Sequence, residues 1–249
     1  MKKLLIIGIG AGDPDFVTLQ AARAIASVDV FFMLEKGSAK DAMVELRREV
    51  CRRHGQDSAY RVVEAPSPPR DTRPADYGAC VDDLNRAKQE TFERMIADNL
   101  GEGQVGAILA WGDPSLYDST IRNIGPIAAR QGLEWEVIPG ISAVQVLAAR
   151  HRITLNTVAQ PVEITTGRRL GEGWPAGVDS VVVMLDGDET YRRFAGEDVD
   201  IWWGAYLGTP EEILIAGRLK DVSDEIHRVR TAARERNGWI MDTYLLRRR

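Results

Sequence analysis

Two turns carry the residues best suited to chemistry: Gly8-Ile9-Gly10-Ala11-Gly12-Asp13-Pro14 and Trp111-Gly112-Asp113-Pro114-Ser115-Leu116-Tyr117. Each follows an apolar run and opens a stretch of helical spacing. Each therefore sits at the carboxyl end of a strand, where open α/β sheets bind ligands. Glycine lets backbone groups approach a bound molecule closely, and proline stiffens a loop and keeps the residue before it extended. The first turn has the setting of a dinucleotide fingerprint, but the third glycine of G-x-G-x-x-G falls on Asp13. A carboxylate there repels a pyrophosphate, and Pro14 removes a donor N–H, so a nicotinamide or flavin cofactor is disfavoured. No Gly-Lys-Ser/Thr follows, which argues against a phosphate-cradling loop. Acidic groups beside bare backbone suit a cationic, amino-acid-like molecule instead. S-adenosylmethionine, with its sulfonium and ammonium charges, is one.

Such turns need a sheet to hold them. Apolar runs at Leu4 to Ile7, Val28 to Leu34, Tyr60 to Ala65, Val105 to Ala110 and Glu134 to Ile138 read as strands. Helical spacing falls between them: Phe16, Leu19, Ala22 and Ile25; Ala42, Leu46 and Val50; Leu84 through Ile96; Ile121, Ile124, Ile127 and Ala128. Asp15 and Thr18 are both candidate N-caps of the first helix. This alternation predicts a parallel sheet with helices on both faces. Four prolines between Pro66 and Pro74 mark an exposed loop. Beyond Pro139-Gly140 the texture changes. A helix through Ala143, Val146 and Leu147 precedes strand-like runs at Val162 to Thr165, Ser180 to Leu185, Ile201 to Tyr206, Ile213 to Arg218 and Trp239 to Leu246, with only short or weak helical stretches between. The expectation is two domains, 1–139 α/β with a parallel sheet and 140–249 mixed α/β, and a solvated Arg247-Arg248-Arg249 tail.

Composition narrows the function classes. The chain has 249 residues, 44% hydrophobic and 28% charged, as in globular proteins. A net charge of −5 gives no basic field for nucleic acid. Cys51 and Cys80 are the only cysteines and lack metal spacing or a partner motif, so no metal site or disulfide framework is expected. A reduced, cytoplasmic setting follows. The apolar start is broken at Gly8, too early for a signal peptide, and no run is long enough to span a bilayer. His54, His151 and His227 stand isolated, and no Ser/His/Asp arrangement is evident.

The order of motifs resembles the tetrapyrrole methylases. The stretch Ile7 to Pro14, with Thr18-Leu19, Ala24 and Val28-Asp29-Val30, is similar to the start of that family. Trp111 to Tyr117 resembles its second signature, Ile138-Pro139-Gly140-Ile141-Ser142-Ala143 its third, and Leu207-Gly208-Thr209-Pro210-Glu211-Glu212 a weaker fourth. Ala11 stands where many members carry proline, and Glu35-Lys36 replaces an Asp-containing end of the second strand.

The resemblance implies a cleft between two domains that binds S-adenosylmethionine mostly through backbone, leaving S-adenosylhomocysteine as product. The matching positions are Trp111, Gly112, Asp113, Leu116, Ser142, Ala143, Met184, Leu207 and Gly208. It implies a precorrin substrate, a homodimer, and methyl transfer to ring carbon one of precorrin-5 with loss of acetate. Acetate loss asks for a general base, for which Glu35 and Asp118 are candidates at strand ends. Arginine forks suit the substrate's carboxylates, and Arg70, Arg73, Arg168 and Arg169 are the candidates. A methylase for another precorrin position, a nucleotide-dependent oxidoreductase and a cofactor-binding regulatory module are the alternatives.

Overall fold

The computed structural model describes residues 1–35, 41–55, 60–69 and 77–249, which form two compact units, Met1–Ser142 and Ala143–Arg249. Lys36, Arg70 and Arg73 lie outside the described residues. The turn Pro139-Gly140 falls inside the first unit.

The first unit holds β1 (Lys3–Gly8), α1 (Leu19–Ile25), β2 (Val30–Glu35), α2 (Asp41–His54), β3 (Arg61–Pro66), α3 (Tyr77–Asn99), β4 (Val105–Ala110), α4 (Thr120–Gln131) and β5 (Glu134–Ile138). Its strands form one parallel sheet in the order β3-β2-β4-β1-β5. Alternate residues serve opposite faces. Leu5, Ile7, Phe31 and Leu109 pack with Ile25 of α1 and Val50 of α2. Leu4, Ile6, Phe32 and Ile108 pack with Ile96 of α3 and Ile124 of α4. Burial on both faces explains the near-continuous apolar runs. The chain steps from β1 to β3 through α1 and α2, then returns to β5 through α3 and α4. Right-handed crossovers therefore put the two helix pairs on opposite faces.

Thr18 is the N-cap of α1, its hydroxyl accepting from Ala21 N–H at 3.1 Å. Asp15 is not a cap. It lies within a 3₁₀ turn, Pro14–Phe16, which Asp13 caps by accepting from Asp15 N–H at 2.9 Å. Pro14 at the first turn position lets the chain enter it early. Replacing Thr18 by alanine is expected to cost about 1 kcal/mol in denaturant unfolding.

The second unit holds α5 (Ala143–His151), β6 (Val162–Thr166), α6 (Gly167–Leu170), β7 (Ser180–Met184), β8 (Val199–Ala205), β9 (Ile213–Arg218), α7 (Leu219–Asn237) and β10 (Asp242–Arg248). The sheet order is β6-β7-β10-β8-β9, with β6 and β7 parallel and the other pairs antiparallel. Trp203, Tyr244, Val181 and Val183 share a core with Leu219 and Ile226 of α7.

Three expectations fail here. The connections are not all short, since α7 runs for 19 residues. Its buried face is Leu219, Ser223, Ile226, Arg230 and Ala233, and two polar members conceal the apolar stripe. The last strand begins at Asp242, not Trp239, and continues to Arg248. The terminal arginines are accordingly not a solvated tail. Arg247 Nε donates to Ser180 Oγ at 2.9 Å, Arg248 lies 4.3 Å over the Trp174 ring and bonds Glu197, and Arg249 bonds Asp200 at 2.8 Å.

Candidate functional site

The two Gly-Asp-Pro turns meet. Gly10 and Gly112 form an antiparallel bridge, with N–H to O distances of 3.2 Å and 2.8 Å. Gly10 and Gly112 take φ values of 80° and 68°, a region that side chains with a Cβ avoid. Gly8, Gly112 and Gly140 converge in backbone contact. A Cβ on Gly140 would stand 2.1 Å from Gly112 O, and one on Gly8 would stand 2.6 Å from Gly140 N. Part of the bare backbone is thus spent on packing the loops together.

Asp113 completes this lock. Its Oδ2 accepts from Gly140 N–H at 2.8 Å, and its Oδ1 accepts from the N–H and hydroxyl of Ser115. Burial raises the Asp113 pKa, but the Ser115 hydroxyl and the Gly140 and Ser115 N–H groups outweigh it, leaving the pKa below the ordinary value. A depressed carboxyl contributes stability above its unfolded pKa and loses it as pH falls through the folded one. Asp113→Asn is therefore expected to lower the melting temperature at pH 7, with the gap from wild type closing below about pH 4.

Trp111 offers a different signal. Its indole Nε1 is buried and has no hydrogen-bond partner among the described residues. A buried donor without an acceptor is costly, so this N–H calls for an acceptor atom beyond the described residues. Leu116 is half-buried, with its N–H on Asp113 O at 3.2 Å, and Tyr117 is exposed with φ 52°. Ser142 is buried at the end of the first unit, and Ala143 opens α5.

In the second unit, strained backbone marks both stretches that the family resemblance assigned to the cofactor. Met184 ends β7, and Leu185 follows at φ 55° with its side chain exposed. Tyr206 follows β8 at φ 50°, leading into Leu207 and Gly208. Non-glycine residues at such angles persist where the surroundings hold them, often at ligand sites. The hold after β7 is a buried polar network. Asp186 accepts from Thr190 N–H at 2.6 Å and from the Tyr244 hydroxyl at 2.6 Å. Arg230 donates to Asp186 O at 2.8 Å and to Asp242 Oδ2 at 2.9 Å, and Trp203 Nε1 donates to the same Oδ2 at 3.0 Å. The Tyr206 hydroxyl is tied to Trp239 O at 2.5 Å. Glu212 Oε2 accepts from Gly208 N–H at 2.7 Å.

The remaining candidates are dispersed. Glu35 closes β2, and its side chain is outside what is described. Asp118 precedes α4 and accepts from Thr120 N–H at 2.7 Å. Arg168 and Arg169 are exposed on α6, where Arg169 pairs with Glu172. His227 is not isolated in space, since its Nδ1 lies 2.9 Å from Glu189. His151 Nε2 lies 3.0 Å from Trp203 O.

Sequence reasoning missed one feature. β2 and β4 pair only at Val30↔Gly106 and Phe31↔Ala107. Beyond that point a cavity of about 80 Å³ opens, lined by apolar residues of both strands and by Arg47, Lys88, Asp118, Ser119 and Asn123. Neither Arg47 nor Lys88 stands out in helices already rich in charge. Only the strand order could have brought them together.

Comparison with known proteins places these features. Residues 3–223 match the family model of the Tetrapyrrole (Corrin/Porphyrin) Methylases. The chain belongs to that family. Over its whole length it is 47% identical to Precorrin-6A synthase [deacetylating] of Sinorhizobium sp, covering 96% of that protein. A crystal structure of a cobalamin synthesis related protein (CobF) from Corynebacterium diphtheriae superposes with TM-score 0.84 at 33% identity, covering 99% of this chain and 98% of that one. Uroporphyrin-III C-methyl transferase from Thermus thermophilus, complexed with S-adenyl homocysteine, has TM-score 0.59 at 18% identity over 98% of this chain and 91% of that one, a likeness of fold.

Proposed function

We propose that this chain is an S-adenosylmethionine-dependent C-methyltransferase of cobalamin biosynthesis, acting as a precorrin-6A synthase. It methylates precorrin-5 at ring carbon one and releases the acetyl group as acetate. The observation that carries this reading is the 47% identity, end to end, with a protein of that activity. The signature turns support it, because they survive as an interlocked structure rather than as scattered matches.

When bound, the methyl donor supplies an electrophilic carbon on a sulfonium. The residues that would hold it are Trp111, Gly112, Asp113, Leu116, Ser142 and Ala143, with Met184, Leu207 and Gly208 from the second unit. The Trp111 indole N–H, without a partner among the described residues, fits an acceptor on such a molecule. A reduced tetrapyrrole is itself an electron-rich carbon nucleophile. The chain's part in methyl transfer is to align that ring carbon and keep water out. Arg168, Arg169, Arg70 and Arg73 are the cations proposed for the substrate's carboxylates. Glu35 and Asp118 are the proposed bases for acetate loss. Among the described residues no helix is long and apolar enough to cross a membrane. A homodimer in the cytoplasm is the proposed working form.

Calorimetry separates this reading from an oxidoreductase. S-adenosylhomocysteine is expected to bind with a stoichiometry of one per chain, and nicotinamide dinucleotides not at all. Binding of a dinucleotide without S-adenosylhomocysteine would overturn the proposal.

A further inference from the structure

The geometry points to the β2–β4 cavity as the subsite that receives the substrate's acetyl group, with Asp118 activating water and Lys88 and Arg47 holding the oxyanion and the acetate formed. This rests on the function proposed above and adds where the acetate is formed.

The cavity follows from topology. β2 leads into α2 on one face of the sheet, and its neighbour β4 leads into α4 on the other. Adjacent strands whose connections leave to opposite faces open a crevice at their carboxyl ends. β4 has such a crevice on both sides. Toward β1 the Gly10–Gly112 bridge closes it. Toward β2 it stays open, since pairing stops at Phe31↔Ala107. Ala110 O faces β1, accepting from Ile9 N–H at 3.0 Å. Carbonyls alternate along a strand, so Leu109 O faces the open side. There Arg47 Nε donates to it at 3.1 Å and is thereby fixed at the cavity wall.

The size suits a small group. About 80 Å³ has room for a few waters or for an acetyl group with a water. The charges discriminate further. Two cations, Arg47 and Lys88, face one carboxylate, Asp118, among the described lining residues. A site built only to hold a carboxylate arm gains nothing from Asp118, which would repel it. A neutral acetyl group is not repelled, and it needs a base.

The step balances without a redox partner. Asp118 takes one proton from water as the water oxygen bonds to the acetyl carbonyl carbon. The carbonyl oxygen becomes an oxyanion beside Lys88 and Arg47, whose fixed positive charges stabilise it. The bond between that carbon and ring carbon one then breaks. Its electron pair stays on ring carbon one, delocalised into the conjugated ring, and that carbon then has the free valence and the electron pair to accept the methyl group. Acetate stays with the cations until it leaves.

The test follows acetate release and methyl transfer together, using labelled donor and precorrin-5. In Asp118→Asn the rate of acetate release, and of methyl transfer with it, is expected to fall about a hundredfold while S-adenosylhomocysteine still binds. In Lys88→Met it falls about tenfold, and Lys88→Arg restores most of it. Independently, sodium acetate titrated into the wild-type protein is expected to shift the amide resonances of Ser119, Thr120 and Asn123, and not in Lys88→Met. Unchanged rates in both variants, or an acetate titration that moves none of these amides, would overturn the assignment. If the wild-type protein transfers no methyl group, the function proposed above has failed, and the acetate titration still decides the cavity.

Discussion

Gly140→Ala is expected to destabilise the first unit by at least about 3 kcal/mol, a loss of roughly 6–12 °C in melting temperature. The new methyl group would stand 2.1 Å from Gly112 O and 2.8 Å from the Gly8 backbone. All of these are main-chain atoms, so no side chain can rotate away. Relief requires parting the Gly10–Gly112 bridge or breaking the bond from Gly140 N–H to Asp113. The substitution is therefore also expected to abolish binding of S-adenosylhomocysteine, because the turns proposed to hold it would move together. Gly125→Ala is the control. Gly125 lies inside α4, and the nearest atom to an added Cβ is a Trp135 ring carbon at 3.9 Å. Alanine there is expected to be neutral or stabilising by up to about 1 kcal/mol. Equal losses in both variants would show that the glycine contact is not what matters.

Arg230→Met is expected to cost about 3–5 kcal/mol, the amount typical of breaking a buried ion pair from one side. Arg230 and Asp242 are both buried, and Arg230 also bonds Asp186 O. Methionine fills much of the space but leaves Asp242, among the described residues, with the Trp203 indole as its remaining side-chain partner. Burial already holds the Asp242 carboxyl above the ordinary carboxylate range, against the pull of Arg230 and Trp203. Without the guanidinium it rises further. A carboxyl whose folded pKa exceeds its unfolded one favours the folded state at low pH and loses that contribution as pH rises. The deficit of Arg230→Met relative to wild type is thus expected to shrink between pH 7 and pH 5 in denaturant titrations. A deficit that does not vary with pH would mean that lost packing, and not the stranded carboxylate, sets the cost.

These two sites show what a sequence reveals and what it hides. The glycine turns are legible because Gly-Asp-Pro after an apolar run has few structural meanings. The parallel sheet is legible because burial on both faces leaves continuous apolar strands. α7 is hidden because its inward face carries Ser223 and Arg230, and the partners of Arg230, Asp186 and Asp242, are distant or lie beyond a turn. The terminal arginines mislead for a related reason. A run of like charge reads as solvated until Ser180, Glu197, Asp200 and Trp174 are brought beside it by strand pairing. The cavity at Asp118 has no local signature, because its cations come from α2 and α3 and its opening from where β2 and β4 cease to pair. Asp113, legible as an acidic group beside a ligand, turns out to spend both carboxylate oxygens on the loop itself.

The measurement that bears most directly on the account is the product mass when the purified protein turns over precorrin-5 with S-adenosylmethionine. The account predicts one product, heavier by a methyl group and lighter by an acetyl group than the substrate, with one acetate released per methyl transferred. Recovery of unmodified precorrin-5 under conditions where S-adenosylhomocysteine binds, or methylation of a different precorrin with no acetate, would contradict it.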